Sequence, residues 1–132
     1  PTRLWNLPNR YRKARFIILH SGLPWMEDAA LLAKNYPNVW LDMGWDHLMS
    51  PELSRRALAA WIDLVPMNKI FGFGGDYSVV EKVYGHLVLA RQNVAAVLAL
   101  KMEQDGMSRA RAAGWLQALL FDNPNAVYRL GL

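Results

Sequence analysis

Asp76 is the residue of this 132-residue chain best placed to do chemistry. It follows a short apolar, β-prone run (Ile70, Phe71, Phe73) that Gly74-Gly75 break. Ser78 comes next, with Glu81 three residues on, the spacing of a capping box before a long apolar-periodic segment. The unit reads strand, glycine turn, acid, helix, and in parallel α/β folds ligands bind at the C-terminal edge of the strands. Two further polar residues stand at the ends of apolar runs: His20 closes Arg15–His20, and Asp42 lies in Val39–Met43. Three parallel strands in chain order would bring His20, Asp42 and Asp76 to one edge. Asp42 would then be on the middle strand and the outer two residues roughly 10 Å apart at the backbone. A carboxylate and an imidazole there can handle a proton between them. The plainer readings stay open: Asp76 as a helix cap, His20 as a strand-end histidine bonded to backbone, Asp42 as a turn former.

Other side chains add less. His47, beside Asp46, could face the site or solvent, and His86 reads as a surface or packing histidine of a helix. Trp25, Trp45 and Tyr77 all follow strands and could wall a substrate pocket or simply fold their loops down. There is no His-x-His or His-Glu-x-x-His pattern. Gly72-Phe73-Gly74-Gly75 is no dinucleotide fingerprint, because Tyr77 stands where glycine or alanine is needed.

Composition narrows the class. With no cysteine, disulfides and zinc-thiolate sites are excluded, and a cytoplasmic location is the expectation. A net charge of +4 gathers in Arg10, Arg12, Lys13 and Arg15 and in the pairs Arg55-Arg56 and Arg109-Arg111. No RNA- or DNA-binding signature accompanies these residues, so nucleic acid is not an expected partner. The longest uninterrupted apolar run, Val94–Leu100, is too short to span a bilayer, so a soluble chain is expected. No basic-then-apolar leader is visible, and a start at Pro1 suggests a segment upstream.

The elements that must position the site follow from periodicity. Thr2–Ala14 reads as the end of a helix kinked at Pro8. Met26–Asn35 is a helix with Ala29, Leu32 and Ala33 inward. Ser50 and Pro51 open another to about Val65, with Leu53, Ala57, Leu58, Trp61, Ile62 and Val65 on its apolar face. The longest helix runs from about Val79 to Gln104. Its expected buried stripe is Val80, Val83, Tyr84, Leu87, Val88, Val94, Ala95, Leu98 and Met102, closed by Gly106. Ser108 caps a further helix to about Phe121, and Val127, Tyr128 and Leu130 pack back after Asn123-Pro124. The chain reads as a single unit, 1–132, without an internal linker.

Strand and helix alternate three times, which predicts a parallel sheet with right-handed crossovers. Phe16 and Ile18 point one way and Ile17 and Leu19 the other, so both sheet faces need cover. The helices suffice for one face, and the chain is shorter than the roughly 250 residues of a complete barrel. Part of a (β/α)8 barrel is favoured over a doubly wound sheet.

Four stretches carry a resemblance: His20–Trp25, Tyr36–Asp42, Lys69–Asp76 and Asp122–Tyr128. Together they resemble the amidohydrolase superfamily, and more narrowly the amidohydrolase-related metal-dependent hydrolases of TIM-barrel fold, a group that includes aminocarboxymuconate-semialdehyde decarboxylase. The resemblance covers strands six to eight of the barrel, its C-terminal half. It implies that Asp76 is the strand-eight aspartate, which ligates the catalytic metal or activates its water. It implies that His20 is the strand-six histidine, which contacts that water or binds a second metal. Gly75 stands where many members have serine. The family's His-x-His on strand one and histidine on strand five have no counterpart here.

Two readings follow. In one, the chain is the C-terminal part of a metal-dependent enzyme that hydrolyses or decarboxylates a small carboxylated, amide or ester substrate. A divalent metal, zinc first, would then be held only in the complete barrel, and the isolated chain would be inactive. In the other, it is a non-catalytic α/β module that self-associates or binds a partner. On either reading the open sheet predicts at least a dimer, or union with an N-terminal half, burying the neighbourhood of Phe16, Ile18 and Ile70.

Overall fold

The computed structural model describes residues 4–132. Of the expected N-terminal helix, Thr2 and Arg3 lie outside the described residues, and the helical part is the single turn α1 (Leu7–Arg10) with Pro8 in its first turn. Three short strands follow: β1 (Phe16–Ile18), β2 (Val39–Asp42) and β3 (Ile70–Phe71). They form one parallel sheet in the order β1-β2-β3, with Phe16 opposite Val39 and Leu41 opposite Ile70. Asp42 is therefore on the middle strand. The architecture is mixed α/β with a parallel three-stranded sheet.

The helices are α2 (Met26–Asn35), α3 (Asp46–Met49), α4 (Pro51–Leu64), α5 (Glu81–Asp105), α6 (Arg109–Gln117) and α7 (Asn123–Tyr128). A wide helical turn over Ala118–Asp122 joins the last two. Local chemistry sets several boundaries. Ser50 Oγ accepts from Leu53 N–H and Ser108 Oγ from Arg111 N–H, each satisfying an otherwise orphaned amide. Gly106 ends α5 at φ +67°, a left-handed cap open to glycine at little cost. The Ser78–Glu81 capping box does not form: Val80 precedes α5, and no side chain caps it.

The core joins Leu32, Leu41, Met43, Leu58, Trp61, Ile70, Val94, Leu98 and Leu119. The buried face of α5 differs from the expected stripe. Val94 and Leu98 are buried as expected, but Val80 and Tyr84 are exposed, and His86, Ala90, Asn93, Val97 and Lys101 turn inward instead. Apolar residues surround this helix, so their spacing leaves its phase undetermined. Its buried polar groups find partners that fix the phase: Asn93 Nδ2 lies 3.3 Å from His47 Nδ1, and Lys101 Nζ is 2.7 Å from both Asp63 oxygens. By length and composition α5 could cross a bilayer, which run length alone did not reveal. Its inner side, where His86, Asn93 and Lys101 are buried among Ala90, Val94, Val97 and Leu98, packs on α4 and α6.

The sheet is also better covered than its sequence suggested. Ile70 and Phe71 have no exposed surface in the single chain, so Ile70 is not part of an open face. The C-terminal segment closes that side: Gly72 N–H donates to Leu119 O at 2.8 Å, Asn123 Nδ2 to Ile70 O at 2.8 Å, and Tyr128 packs on Phe71. Phe16, Ile17 and Ile18 stay half-buried beside an apolar cavity of about 190 Å³.

Candidate functional site

The C-terminal ends of the strands open into a cleft of about 320 Å³, lined among others by His20, Asp42, Gly74, Asp76 and Tyr128. Its residues come from the ends of the strands, from the loops that follow β1, β2 and β3, and from α7.

The first loop brings His20. The strand ends at Ile18, short of the expected His20, because the chain turns sharply there: His20, Ser21 and Gly22 all have positive φ, +53°, +52° and +67°. Such a run costs side-chain-bearing residues about 1 kcal/mol or more each and persists only where its surroundings enforce it. The third loop brings Asp76, also at positive φ, +47°. His20 Nε2 and Asp76 Oδ2 meet at 3.6 Å. Both side chains remain open to solvent, so the pair is available to a ligand and adds little to stability.

The second loop runs beneath both. Asp42 is buried at the end of β2, and its Oδ1 accepts from Gly44 N–H at 2.6 Å. Burial pushes its pKa up, the Gly44 amide and the charge of His20 oppose this, and Asp76 adds to it. A Cβ on Gly74 would come within 2.6 Å of Asp42 Oδ1, so only glycine lets the third loop close over this carboxylate. Gly44, at φ +46°, meets the same limit against His20 Nδ1, at 2.5 Å. Trp45 N–H donates to His20 Nδ1 at 3.2 Å, and Trp45 Nε1–H donates to Asp76 O at 3.1 Å. With Nδ1 serving as an acceptor, the neutral ring carries its proton on Nε2, facing Asp76.

The candidates from sequence thus divide. His20, Asp42 and Asp76 share the cleft, and Trp45 stacks on Tyr77 beside it, with ring centroids 5.4 Å apart. Trp25 is elsewhere, lining a separate apolar cavity with Leu4, Ile18 and Leu23. His47 is wholly buried and reaches neither cleft nor solvent: its ring nitrogens lie 2.8 Å from Gly72 O and 3.3 Å from Asn93 Nδ2. His86 is a packing histidine, buried against Phe73 and Tyr77, and burial lowers its pKa.

Two residues escaped the sequence reading. Tyr128 enters the cleft because α7 folds back over β3, and burial with the charge of Asp42 raises its hydroxyl's pKa. Asp46 is buried at the start of α3, with neither carboxylate oxygen hydrogen-bonded among the described residues. Burial pushes its pKa up to about 6, against the opposing charge of His20. In the sequence Asp46 stood only as a neighbour of His47 in the stretch after the second strand, and tertiary packing is what buries it.

Tested against a divalent ion, this donor set fits in part. Asp76 offers an open carboxylate, while His20 presents an N–H and not a lone pair when neutral. No group of three metal-ligating side chains exists among the described residues, and a zinc site usually takes four ligands.

A family model described as amidohydrolase matches residues 4–130. Protein fluG of Emericella nidulans is 27% identical over 98% of the chain. A crystal structure from Lactobacillus casei, assigned to the metal-dependent hydrolases, superposes with a TM-score of 0.69 over 87% of the chain at 23% identity. The chain spans 15% of the length of the first protein and 30% of the second.

Proposed function

This chain belongs to the amidohydrolase family, and we propose that it is the C-terminal half of a metal-dependent hydrolase barrel, strands six to eight with their helices. The observation that carries the reading is the meeting of His20 and Asp76 at 3.6 Å across the mouth of one cleft, from the loops after the two outer strands. The parallel order β1-β2-β3 and the half-buried edge at β1 support a barrel continuing on that side, completed by preceding strands or by a second copy.

In the complete barrel a divalent metal, zinc first, would be held by Asp76 together with ligands outside this chain. Such an ion, when bound, brings the pKa of a water beside it to about 7, making a nucleophile at neutral pH. His20 handles the proton: Nε2–H faces Asp76 and the cleft, so it can give a proton to a leaving group and take one back. The Trp45 amide on Nδ1 supports this role over that of a second-metal ligand. Asp42, behind the pair, accepts from the Gly44 amide and so holds the second loop beneath His20. Tyr128 and Phe73 wall the cleft, whose volume suits a small carboxylated, amide or ester substrate.

The test is substitution in the complete enzyme. Asp76→Asn and His20→Asn are each expected to lower kcat/KM by about 100-fold or more for a small ester or amide. The 132-residue chain by itself is expected to retain no zinc after dialysis and to show no turnover. Stoichiometric zinc with turnover in that chain, or full activity of the Asp76→Asn enzyme, would overturn the reading.

A further inference from the structure

His20 and Asp76 come from loops 56 positions apart in sequence, both in left-handed backbone that is sparsely populated by any residue with a side chain, Asp and His being among the more tolerant. Something must hold each of them. One residue touches both: Trp45 donates its backbone N–H to His20 Nδ1 and its indole N–H to the Asp76 carbonyl. We propose that Trp45 is the positioning residue of this site, setting the His20 tautomer through its backbone and the Asp76 conformation through its side chain. The inference rests on His20 and Asp76 being the reactive pair.

Two features make Trp45 a rigid support. Its indole stacks on Tyr77 at an interplanar angle of 26°, and Tyr77 meets the buried His86 edge-on, which ties the loop to α5. On its other side a Cβ at Gly44 would stand 2.5 Å from His20 Nδ1, so only glycine lets the loop approach the imidazole this closely. Both bonds reach atoms that do no chemistry themselves, Nδ1 and a backbone carbonyl. They leave Nε2 and the carboxylate facing each other. An N–H donated to Nδ1 excludes the tautomer protonated there, and a fixed carbonyl keeps Asp76 in the left-handed region from which its side chain reaches His20. Loss of the indole should therefore blur the site without emptying it of reactive groups.

The experiment uses nitrogen-15 NMR of the chain at about pH 8, above the usual histidine range. The wild type should show His20 protonated on Nε2, with a coupling across the hydrogen bond from the Trp45 amide nitrogen to Nδ1. Trp45→Phe keeps a ring for the Tyr77 stack but removes the indole donor. It should shift the Asp76 carbonyl carbon resonance and speed hydrogen exchange in its loop, while the His20 coupling survives. Trp45→Ala should lose the coupling and mix the two tautomers. In the complete enzyme Trp45→Phe should lower kcat by about tenfold with little change in KM, a loss of alignment and not of binding.

A wild-type His20 protonated on Nδ1 would overturn the inference. So would an Asp76 carbonyl resonance left unmoved by Trp45→Phe, which is the decisive variant if Trp45→Ala fails to fold. These resonances are read without catalysis, so this failure is separable from that of the proposed function, which the His20 and Asp76 substitutions test.

Discussion

The two ends of the same three strands are built to different rules. At the N-terminal end, long polar side chains satisfy backbone carbonyls. Asn38 Nδ2 lies within 3.2 Å of the oxygens of Pro8, Tyr11 and Ala14. Lys69 Nζ donates to Ala33 and Tyr36, and Asn123 Nδ2 to Met67 and Ile70. At the C-terminal end lie the buried polar atoms that lack partners among the described residues, on Ser21, Asp46 and His86, and the left-handed residues His20, Ser21 and Asp76. One end spends polar groups on holding the chain together. The other keeps them uncommitted and strained, as sites for chemistry often are. The contrast marks the C-terminal end as the place to test for a site, by an argument separate from the family likeness.

It can be broken by substitutions whose effects should differ in sign as well as size. The largest is expected at the lower end. Asn38→Ala removes the donor shared by three carbonyls at a buried position and should cost about 3 kcal/mol in urea unfolding. A cost under about 0.5 kcal/mol would show that water replaces the amide freely.

Asp46 gives the next effect, through pH. Its folded pKa lies above the unfolded one, so between about pH 4 and 6 the folded chain holds the extra proton. Stability from this group is present below the window and is lost as pH rises through it, by about 3 kcal/mol. Asp46→Asn should remove that loss, so the variant's advantage over the wild type grows from about pH 4.5 to 7.5. His47 and His86, whose lowered pKa values act in the opposite direction, are common to both proteins and cancel in the difference. An advantage that does not change with pH would mean that Asp46 is solvated after all.

The smallest effect is the most diagnostic. Asp76 has positive φ and an exposed side chain, so Asp76→Gly relieves strain and removes no packing. The expected result is a gain of roughly 0.5–1 kcal/mol together with loss of the reactive carboxylate. A loss of stability would place Asp76 among the structural residues of the lower end.

Much of this was legible because it is local. The Ser50 and Ser108 caps and the Gly106 terminus are each written within a few residues, and the strand-helix alternation leads to the parallel order. The edge that gathers His20, Asp42 and Asp76 follows from that order. What escaped depends on distant partners. Asn93 and Lys101 look like solvent-facing residues until His47 and Asp63 are placed opposite them, and they turn α5 away from its apparent stripe. Ile70 looked open because the return of Leu119 and Asn123 from fifty residues on has no local signal. Asp46 is the same case at the site itself.

The three glycines of the cleft should leave different marks on tolerated variation. A methyl group at Gly74 would meet the Asp42 carboxylate at 2.6 Å and at Gly44 the His20 ring at 2.5 Å, whereas at Gly75 its nearest neighbour is Val83 at 3.7 Å, ordinary contact. In a saturation library selected for activity, position 75 should drift to small residues such as serine or alanine, while 44 and 74 stay fixed. The tandem glycines thus combine one immovable residue with one free one, and a designer wishing to reshape the mouth of the cleft should begin at Gly75.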